Sequence, residues 1–514
     1  MPVSIADFFQ RSDYLAAIPI LLLTMFALAI LLIDLFLPDE WKWFNAVTAF
    51  AGVLFSAYGV WEIQRSLEAA HRPAMVAFVQ ALLIDHFALY FWYLFLAGAG
   101  LSILMSAHYM HVEREHHGEF YALILFSVVG MMCMAAGLDI VLIFIGLELM
   151  AISTYVLVGF LRRDRRSNEA SLKYLLLGAF SSGIFAYGLS LLYGVTGSTN
   201  LVVIRQRLAG IINAQGGHID PVLVLALLTV ATGLLFKVAA VPFHQWAPDA
   251  YEGAPTSVTG FMSVAVKAAA WAMLLRVLLQ GLAPLNKIWV PMFMFVSIVT
   301  MTGANLAALT QNNLKRLLAY SSIAHVGYML LGVVAFGSYN EPGRIDGIKG
   351  ILIYLLVYTF MNLGAFAVIT SLRQRDVIGD EIDDIAGLYQ RAPVEAVLML
   401  VFLLSLAGIP PLAGFWGKYF IFLGLIETGH YALASLAVLY AVFGLYYYMR
   451  IGNAMLMRQP LEKERIKVGP AMAVTLGVTA FATLFIGIMP EQFIRAVEWS
   501  LGIVRNPAVA NLMR

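Results

Sequence analysis

The sequence predicts an all-α integral membrane protein of about fourteen transmembrane helices, with two inverted five-helix repeats and breaks in helices 7 and 12. Three observations support this prediction: few charges, apolar runs of membrane-spanning length, and matched segments in two parts of the chain. Of the 514 residues, 61% are hydrophobic and 12% are charged, whereas soluble proteins carry about twice that charged fraction. The bilayer is therefore the expected solvent.

Apolar runs of about twenty residues, separated by short polar breaks, supply the predicted helices. A helix of that length crosses about 30 Å of hydrocarbon, and the runs do not alternate as the strands of a membrane barrel do. The predicted spans are 16–37, 44–61, 87–107, 120–137, 139–160, 169–195, 221–246, 256–279, 288–309, 316–338, 348–372, 395–427, 431–452 and 469–489.

Basic residues predict the orientation. The break after helix 5 reads RRDRR from Arg162 to Arg166, and Lys315 and Arg316 precede helix 10. These breaks share one side if the helices alternate in direction, and an excess of Lys and Arg marks the cytoplasmic side. The chain is therefore expected in the bacterial cell inner (plasma) membrane, with both termini on the non-cytoplasmic side.

An internal repeat is visible at an offset of 168 residues. AISTYVLVGF (151–160) matches AYSSIAHVGY (319–328), and AAVPF (239–243) matches AGIPP (407–411). The unit contains five helices, and because five is odd, consecutive copies run in opposite directions, as in inverted-repeat transporters. The predicted segments are 1–119 with three helices, 120–285 and 286–455 with one repeat each, and 456–514 with helix 14 and the tail.

Both copies carry proline in the middle of a span: Pro242 in helix 7, and Pro410 and Pro411 in helix 12. Proline removes a backbone donor and clashes with the preceding turn. A break at membrane depth persists only where protein or water satisfies the freed groups. A simple kink is the alternative, but the symmetric placement favours two discontinuous helices beside two hydrated sites.

Four lysines lie inside predicted spans: Lys173, Lys237, Lys267 and Lys418. A lysine near a helix end can extend to the interface, and this is the alternative for Lys173. Lys267 is about twelve residues from either end of helix 8, or about 18 Å at 1.5 Å per residue, which its side chain cannot span. Ionisable groups at such depth predict a functional site.

Glu148 lies near the middle of helix 5. An ionised carboxylate there must be protonated, hydrated or paired. Lys173 on the next helix is the expected partner and Arg276 is the rival; a static ion pair that only fixes helix packing is the structural alternative. Asp85, by contrast, lies near a helix end and is expected at the interface.

These residue types suit proton transfer. Burial penalises the charged forms of both lysine and glutamate, so a neighbouring charge can decide which form is present. His325 lies in mid-helix 10 near Ser322 and would extend such a path, although a buried histidine can also be purely structural. The run Tyr446–Tyr448 is expected to lie in the aromatic belt at the membrane interface or to serve in packing.

Several classes of function are disfavoured. The single cysteine, Cys133, cannot form an internal disulfide or a cysteine-ligated iron–sulfur cluster. The sequence has no glycine-rich dinucleotide fingerprint and no paired haem histidines. With a net charge of +1, nothing indicates nucleic acid. No cofactor, metal or redox centre is therefore expected on this chain.

Two segments carry a family resemblance: KVAAVPFHQWAPDAYEGAPT (237–256), followed by Lys267, and GIPPLAGFWGKYFIF (408–422). They resemble the antiporter-like membrane subunits of respiratory complex I, and most of all the subunit N family of NADH-quinone oxidoreductases. Lys418 stands where the sister subunit M typically has glutamate. The resemblance implies the fourteen-helix fold with two inverted five-helix units.

The resemblance also implies roles: Glu148 and Lys173 as the pair of helices 5 and 6, Lys237 as proton carrier, Lys267 as connection, His325 as relay and Lys418 as exit. The chain would be a non-redox proton translocase in the respiratory chain. NADH, FMN, iron–sulfur clusters and quinone would bind partner subunits, and its own partners would be neighbouring antiporter-like and small membrane subunits and lipid. The alternatives are a subunit of a multisubunit sodium/proton antiporter, a quinone-binding enzyme and an inert scaffold.

Overall fold

The structure, a computed structural model, describes residues 10–113, 115–338, 345–372, 379–460 and 468–502. The helices are α1 (Arg11–Asp34), α2 (Phe44–Ala69), α3 (His86–Glu113), α4 (Gly118–Ala136), α5 (Ile140–Val158), α6 (Arg165–Thr196), α7 (Leu201–Ala214), α8 (Pro221–Val238), α9 (Trp246–Gly253), α10 (Thr256–Phe261), α11 (Lys267–Arg276), α12 (Asn286–Leu309), α13 (Leu314–Gly337), α14 (Asp346–Leu372), α15 (Leu388–Arg391), α16 (Pro393–Ala407), α17 (Ala413–Glu427), α18 (Tyr431–Met457), α19 (Pro470–Ile488) and α20 (Glu491–Ser500).

The predicted all-α membrane fold is confirmed. Within the described ranges, thirteen helices are long and apolar enough to cross a membrane. Helices α16 and α17 are the two halves of the span predicted at 395–427. Helices α10, α11, α13 and α14 form the centre, where nearly every position is buried, while α1 and α18 expose much of their apolar surface. The two chain termini, for which a non-cytoplasmic location was predicted, lie outside the described residues.

Side-chain caps position the helices around the centre. Asp139, Asp164 and Asp220 accept hydrogen bonds from the first backbone N–H groups of α5, α6 and α8, and Asn313 does the same for α13. Such caps satisfy donors that have no partner inside the helix. The membrane helices therefore begin at polar residues that flank the apolar runs, as the hydropathy pattern indicates.

The two breaks are confirmed. Helix α8 ends at Val238 and the chain is helical again from Trp246; α16 ends at Ala407 and α17 begins at Ala413. Side chains satisfy the freed backbone groups, because the N–H of Val241 donates to Thr300 Oγ1 at 3.1 Å. The indole N–H of Trp246 likewise donates to the carbonyl of Phe236 at 2.9 Å. Protein contacts of this kind are what allow non-helical backbone at membrane depth.

A small β-hairpin was not predicted. Strands β1 (Ala74–Ala77) and β2 (Leu82–Asp85) pair antiparallel. The backbone N–H of Phe78, in the connecting turn, donates to Asp13 Oδ1 at 2.5 Å. The hairpin and the short helices α7 and α20 were missed because none of them has an apolar run of membrane-spanning length.

We call the face where α5 ends and α6 and α13 begin the basic face, because it carries the exposed residues Arg162, Arg163, Arg165 and Arg166. The hairpin and α20 lie at the opposite face. Trp499 of α20 stacks on His86, the first residue of α3, with ring centres 4.3 Å apart. Helix α9, which follows the break in helix 7, packs against both α6 and α13. It therefore lies between the basic face and the centre of the bundle.

Candidate functional site

Lys237 lies in the last turn of α8, directly before the first break, and only 4% of its surface is exposed. Its Nζ donates to the hydroxyl of Tyr155 at 3.4 Å. It also lies 5.7 Å from the centre of the Tyr155 ring and 5.8 Å from that of Phe236. The amine is thus held in an aromatic pocket with one hydroxyl as its hydrogen-bond partner.

Lys267 is the first residue of α11 and is also buried. A five-residue π-helical segment, Met262–Val266, precedes it. Segments of this kind are rare and occur frequently at functional sites. The Nζ of Lys267 donates to the hydroxyl of Ser322 and to its carbonyl, the latter at 3.3 Å. The prediction that Lys267 lies too deep to reach the surface therefore agrees with its burial.

His325 lies at the centre of the bundle on α13. Its Nδ1 is 2.5 Å from the hydroxyl of Tyr354 on α14, and its Nε2 is 3.0 Å from the hydroxyl of Tyr448 on α18. Tyr448 is also hydrogen-bonded to Ser321. Tyr448, expected in the membrane-interface belt or in packing, is therefore part of a buried polar network that joins three helices.

Lys418 lies on α17, after the second break, and is 6% exposed. Its Nζ donates to the carbonyls of Leu406 at 3.1 Å and Ala407 at 2.7 Å. These are among the last carbonyls of α16, which have no partner inside that helix. The ammonium group therefore satisfies the broken end of helix 12 and is itself held at membrane depth.

Helix α13 joins Lys267 to Lys418. Ser322, His325 and Tyr328 recur every three residues and so lie along one side of the helix. Lys267 binds Ser322, and the Nζ of Lys418 lies 5.3 Å from the centre of the Tyr328 ring. His325 is thus midway between the two lysines, as a relay residue would have to be.

Tyr251 of α9 connects the Lys237 region to Lys267. Its ring centre is 6.4 Å from that of Trp246, which itself packs on Phe236 beside Lys237. Its hydroxyl lies close to Ser322, the residue that binds Lys267. This hydroxyl is buried and has no hydrogen-bond partner among the described residues. A buried, unpaired hydroxyl of this kind is typical of a position where ordered water binds.

Glu148 lies on the outward side of α5. Its neighbours along that side, Val141, Ile145, Ile152 and Val156, are each about half exposed. The Oε1 atom of Glu148 is itself buried and has no hydrogen-bond partner in the described part of the chain. Its charge acts on Lys237 and on Tyr155. Glu148 is therefore near enough to Lys237 for an electrostatic interaction, but the described residues show no ion pair between the two side chains.

The expected pairing of Glu148 with Lys173 is wrong. Lys173 forms ion pairs with Glu169 at 2.9 Å and with Asp249 at 3.0 Å, and 47% of its side chain is exposed. Glu169 is one turn earlier on the same side of α6, where i, i+4 pairs form readily. Pairing in a water-accessible place costs less than bringing both charges into the apolar centre, so Lys173 extends towards the basic face.

The rival pairing of Glu148 with Arg276 is also wrong. Arg276 forms a two-pronged ion pair with Asp85, with N–O distances of 2.6 and 2.8 Å. Asp85 was expected at the interface, but it is fully buried. In this geometry two of the five N–H donors of a guanidinium group bind the two oxygens of one carboxylate. The pair could not be predicted from local sequence because Asp85 and Arg276 are 191 residues apart.

Gly408 should be essential at the second break. Its φ angle is +88°, and an added Cβ would lie 2.9 Å from Cδ of Lys418. Non-glycine residues in such backbone conformations cost about 1–3 kcal/mol. We expect Gly408→Ala to lower the thermal unfolding midpoint of the purified protein and Gly477→Ala, with no neighbour within 4 Å, to leave it unchanged. Equal midpoints for the two variants would contradict this assignment.

Within the ranges given above, no group of three or more His, Cys, Asp or Glu side chains is arranged so that it could hold a metal ion. The residues that meet at the two breaks are amines, hydroxyls and one imidazole, and their shared chemistry is the exchange of protons.

The comparisons with known proteins agree with this geometry. Residues 137–444 match the family described as NADH:quinone oxidoreductase/Mrp antiporter, TM. The protein named NADH-quinone oxidoreductase subunit N 1 from Koribacter versatilis is 61% identical over 514 residues, which cover 99% of this chain and all of that relative. The chain belongs to the subunit N family. The resemblance found in segments 237–256 and 408–422 is thereby confirmed.

Two solved structures resemble the subunit N fold described here. A chain of respiratory complex I from Thermus thermophilus, with bound aureothin, is 31% identical and superposes with a TM-score of 0.76, covering 93% of this chain and 99% of that one. A chain of the Mrp complex from Dietzia sp. superposes with a TM-score of 0.79 at 21% identity, covering 96% and 98%. The second likeness concerns the fold alone.

Proposed function

We propose that this chain is the proton-translocating, non-redox subunit of an NADH:quinone oxidoreductase in a bacterial inner membrane, with both termini on the non-cytoplasmic side. The names of its relatives support membership of that enzyme complex. The observation that carries the proposal is the buried series Lys237, Lys267, His325 and Lys418, which runs from one helix break to the other. Such groups are costly to keep in a membrane and mark proton relays when they occur.

Each residue would hold or pass a proton at a defined atom. Lys237 would hold one on Nζ while Glu148 is ionised and release it when that charge is neutralised. Lys267 would receive it by way of water near the Tyr251 hydroxyl and pass it through Ser322 to a ring nitrogen of His325. Tyr354 and Tyr448 would orient that ring. Lys418 would accept the proton at the second break and release it to the far side.

The energies are adequate for this mechanism. Moving one charge against a potential of about 150 mV costs about 3.5 kcal/mol. Two unit charges about 5 Å apart interact by about 3 kcal/mol at an effective dielectric constant of about 20. Ionising or neutralising a carboxylate at about that separation would change the protonation energy of a lysine by about the amount that transport requires. A series of such changes in the charge of neighbouring side chains can transmit energy from a partner subunit to this one.

The outward side of α5 supports the proposed partners. A carboxylate in the middle of a half-exposed apolar stripe would be poorly placed against lipid tails. A neighbouring membrane subunit that covers Val141, Ile145 and Ile152 would remove both the exposed apolar surface and the contact of Glu148 with lipid. Electron transfer from NADH to quinone, with FMN and iron–sulfur clusters, would occur on partner subunits.

The runner-up is a subunit of a sodium/proton antiporter, because the Mrp chain has the same fold. Inverted membrane vesicles separate the two functions. We expect NADH to drive proton uptake that is lost when this chain is deleted and regained when it is restored, with its NADH-oxidising partners co-purifying. Proton exchange driven by an imposed sodium gradient, with no dependence on NADH, would contradict the proposal and favour the antiporter.

A further inference from the structure

The π-helical segment Met262–Val266, which we call the wide turn, lies directly before Lys267 and is held by a side chain from another helix. The side-chain amide of Asn362, on α14, donates to Ser263 Oγ at 2.7 Å. Ser263 Oγ in turn donates to the carbonyl of Gly260 at 2.8 Å, and both side chains are buried. Helix α14 thus fixes the backbone of helix 8 at the place where its winding changes.

Asn362 belongs to a polar row on α14 that faces the buried series. Tyr354, Tyr358 and Asn362 recur every four residues and so lie along one side of the helix. The hydroxyl of Tyr354 is hydrogen-bonded to His325, and the ring centre of Tyr358 is 5.3 Å from that of His325. An asparagine amide does not ionise, so Asn362 cannot itself hold the proton. It can act on proton transfer only through a residue that it positions.

The wide turn sets the direction in which Lys267 points. A π-helical turn holds about one residue more than an α-helical turn, and one residue corresponds to about 100° of rotation. Rewinding the segment as regular α-helix would therefore rotate Lys267 by about 100° relative to α10. Helix α10 is fixed by close packing, since a Cβ added to Gly260 would lie 2.7 Å from Cε of Met105. The rotation would therefore move the Lys267 amine away from Ser322, its hydrogen-bond partner.

We propose that Asn362 is a positioning residue for the relay: through Ser263 it holds the wide turn that directs Lys267 at Ser322. This inference rests on the proposed function, which gives Lys267 the task of passing a proton to Ser322. That transfer requires the amine and the hydroxyl to stay in contact. A displacement of about 1 Å at a reacting group can cost about a hundredfold in rate, so loss of the bond between Asn362 and Ser263 slows translocation without removing any proton carrier.

A hydrogen bond that contributes only to helix packing is the alternative. Under both interpretations, loss of the Ser263 hydroxyl destabilises the protein, because the amide of Asn362 is left buried without its partner. Replacing both partners with apolar groups of similar shape is nearly neutral for stability. A packing role therefore predicts that such a double variant is stable and fully active, whereas a positioning role predicts that it is stable and slow.

The test compares variants of matched shape in inverted vesicles that contain the whole complex. Ser263→Thr and Ser263→Val add the same bulk, but only threonine keeps the hydroxyl. We expect NADH-driven proton uptake per assembled complex to stay within about twofold of wild type for Ser263→Thr and to fall about tenfold for Ser263→Val. The double variant Ser263→Val, Asn362→Leu should regain the wild-type thermal unfolding midpoint and remain slow. Thr370→Val, which removes another buried hydroxyl of α14, is the control and should leave uptake unchanged.

The outcomes separate this inference from the proposed function. Equal uptake by Ser263→Thr and Ser263→Val, or wild-type uptake by the double variant, would overturn the positioning role. Should Ser263→Val fail to assemble, the double variant decides: slow uptake supports the role, and failure of that variant as well would assign the pair to folding and overturn it. Wild-type uptake by the double variant together with slow uptake by Lys267→Ala would overturn the positioning role alone. Wild-type uptake by Lys267→Ala would overturn the proposed function.

Discussion

Replacement of Lys237 with alanine should reduce NADH-driven proton translocation by about tenfold or more while the complex still assembles. Lys237 is the amine nearest to the first helix break, and its removal interrupts the series between Tyr155 and Tyr251. Translocation and the assembled amount of complex can be measured in the same vesicles. Lys287→Ala, at an exposed position near the start of α12, is the matched control and should have no effect.

Lys237→Arg distinguishes a relay from a static charge. Arginine keeps the positive charge that would satisfy Glu148 but does not release a proton in proteins. A relay therefore predicts that the arginine variant is nearly as impaired as the alanine variant. If arginine restored wild-type translocation, the charge at this position would serve only to hold helices together, and Lys237 would have no part in proton transfer.

The largest effect on stability is expected from Asp85→Ala. The change would leave the guanidinium group of Arg276 buried without its counter-ion, and breaking a buried pair in this way costs about 3–5 kcal/mol. The same arginine also donates to the carbonyl of Ala135 at 2.8 and 3.0 Å and lies 4.7 Å from the Phe87 ring. It therefore ties α11 to the ends of α4 and β2.

The measurement is the thermal unfolding midpoint of the purified complex, together with its yield from membranes. The double variant Asp85→Leu, Arg276→Met should recover a large part of the loss, because no buried charge is then left unpaired. Glu491→Ala, which breaks an exposed pair with Arg495, should leave the midpoint unchanged. A wild-type midpoint for Asp85→Ala would show that the pair does not hold these elements together.

Hydropathy and proline placement were sufficient to predict the membrane helices, the two breaks and the depth of Lys237, Lys267 and Lys418, because each depends on local sequence. Contacts between distant parts of the chain were not predictable in this way. Lys173 was paired with the wrong acid because the spacing of residues does not fix which way a helix faces. Tyr448 was expected in the membrane-interface belt or in packing because its partner, His325, is 123 residues away.

The inverted repeat predicts matching helices but not matching chemistry. Lys237 corresponds at the offset of 168 to Ser405, whose hydroxyl accepts from the backbone N–H of Gly414 at 3.0 Å. At the second break the amine comes instead from Lys418, on the half-helix that follows. Each break thus has one lysine, supplied from opposite sides of the interruption. This difference in the position of the lysine could be recognised only from the three-dimensional arrangement of the two half-helices.

The proposed relay requires that water joins the buried amines across the middle of the membrane. The most direct measurement is a high-resolution electron cryo-microscopy map of the whole complex in lipid. A proton relay requires ordered water that links Lys237 to Lys267 near Tyr251, and further water between His325 and Lys418. Closely packed, dry apolar side chains between these residues, or amines that lie among lipid headgroups, would contradict it.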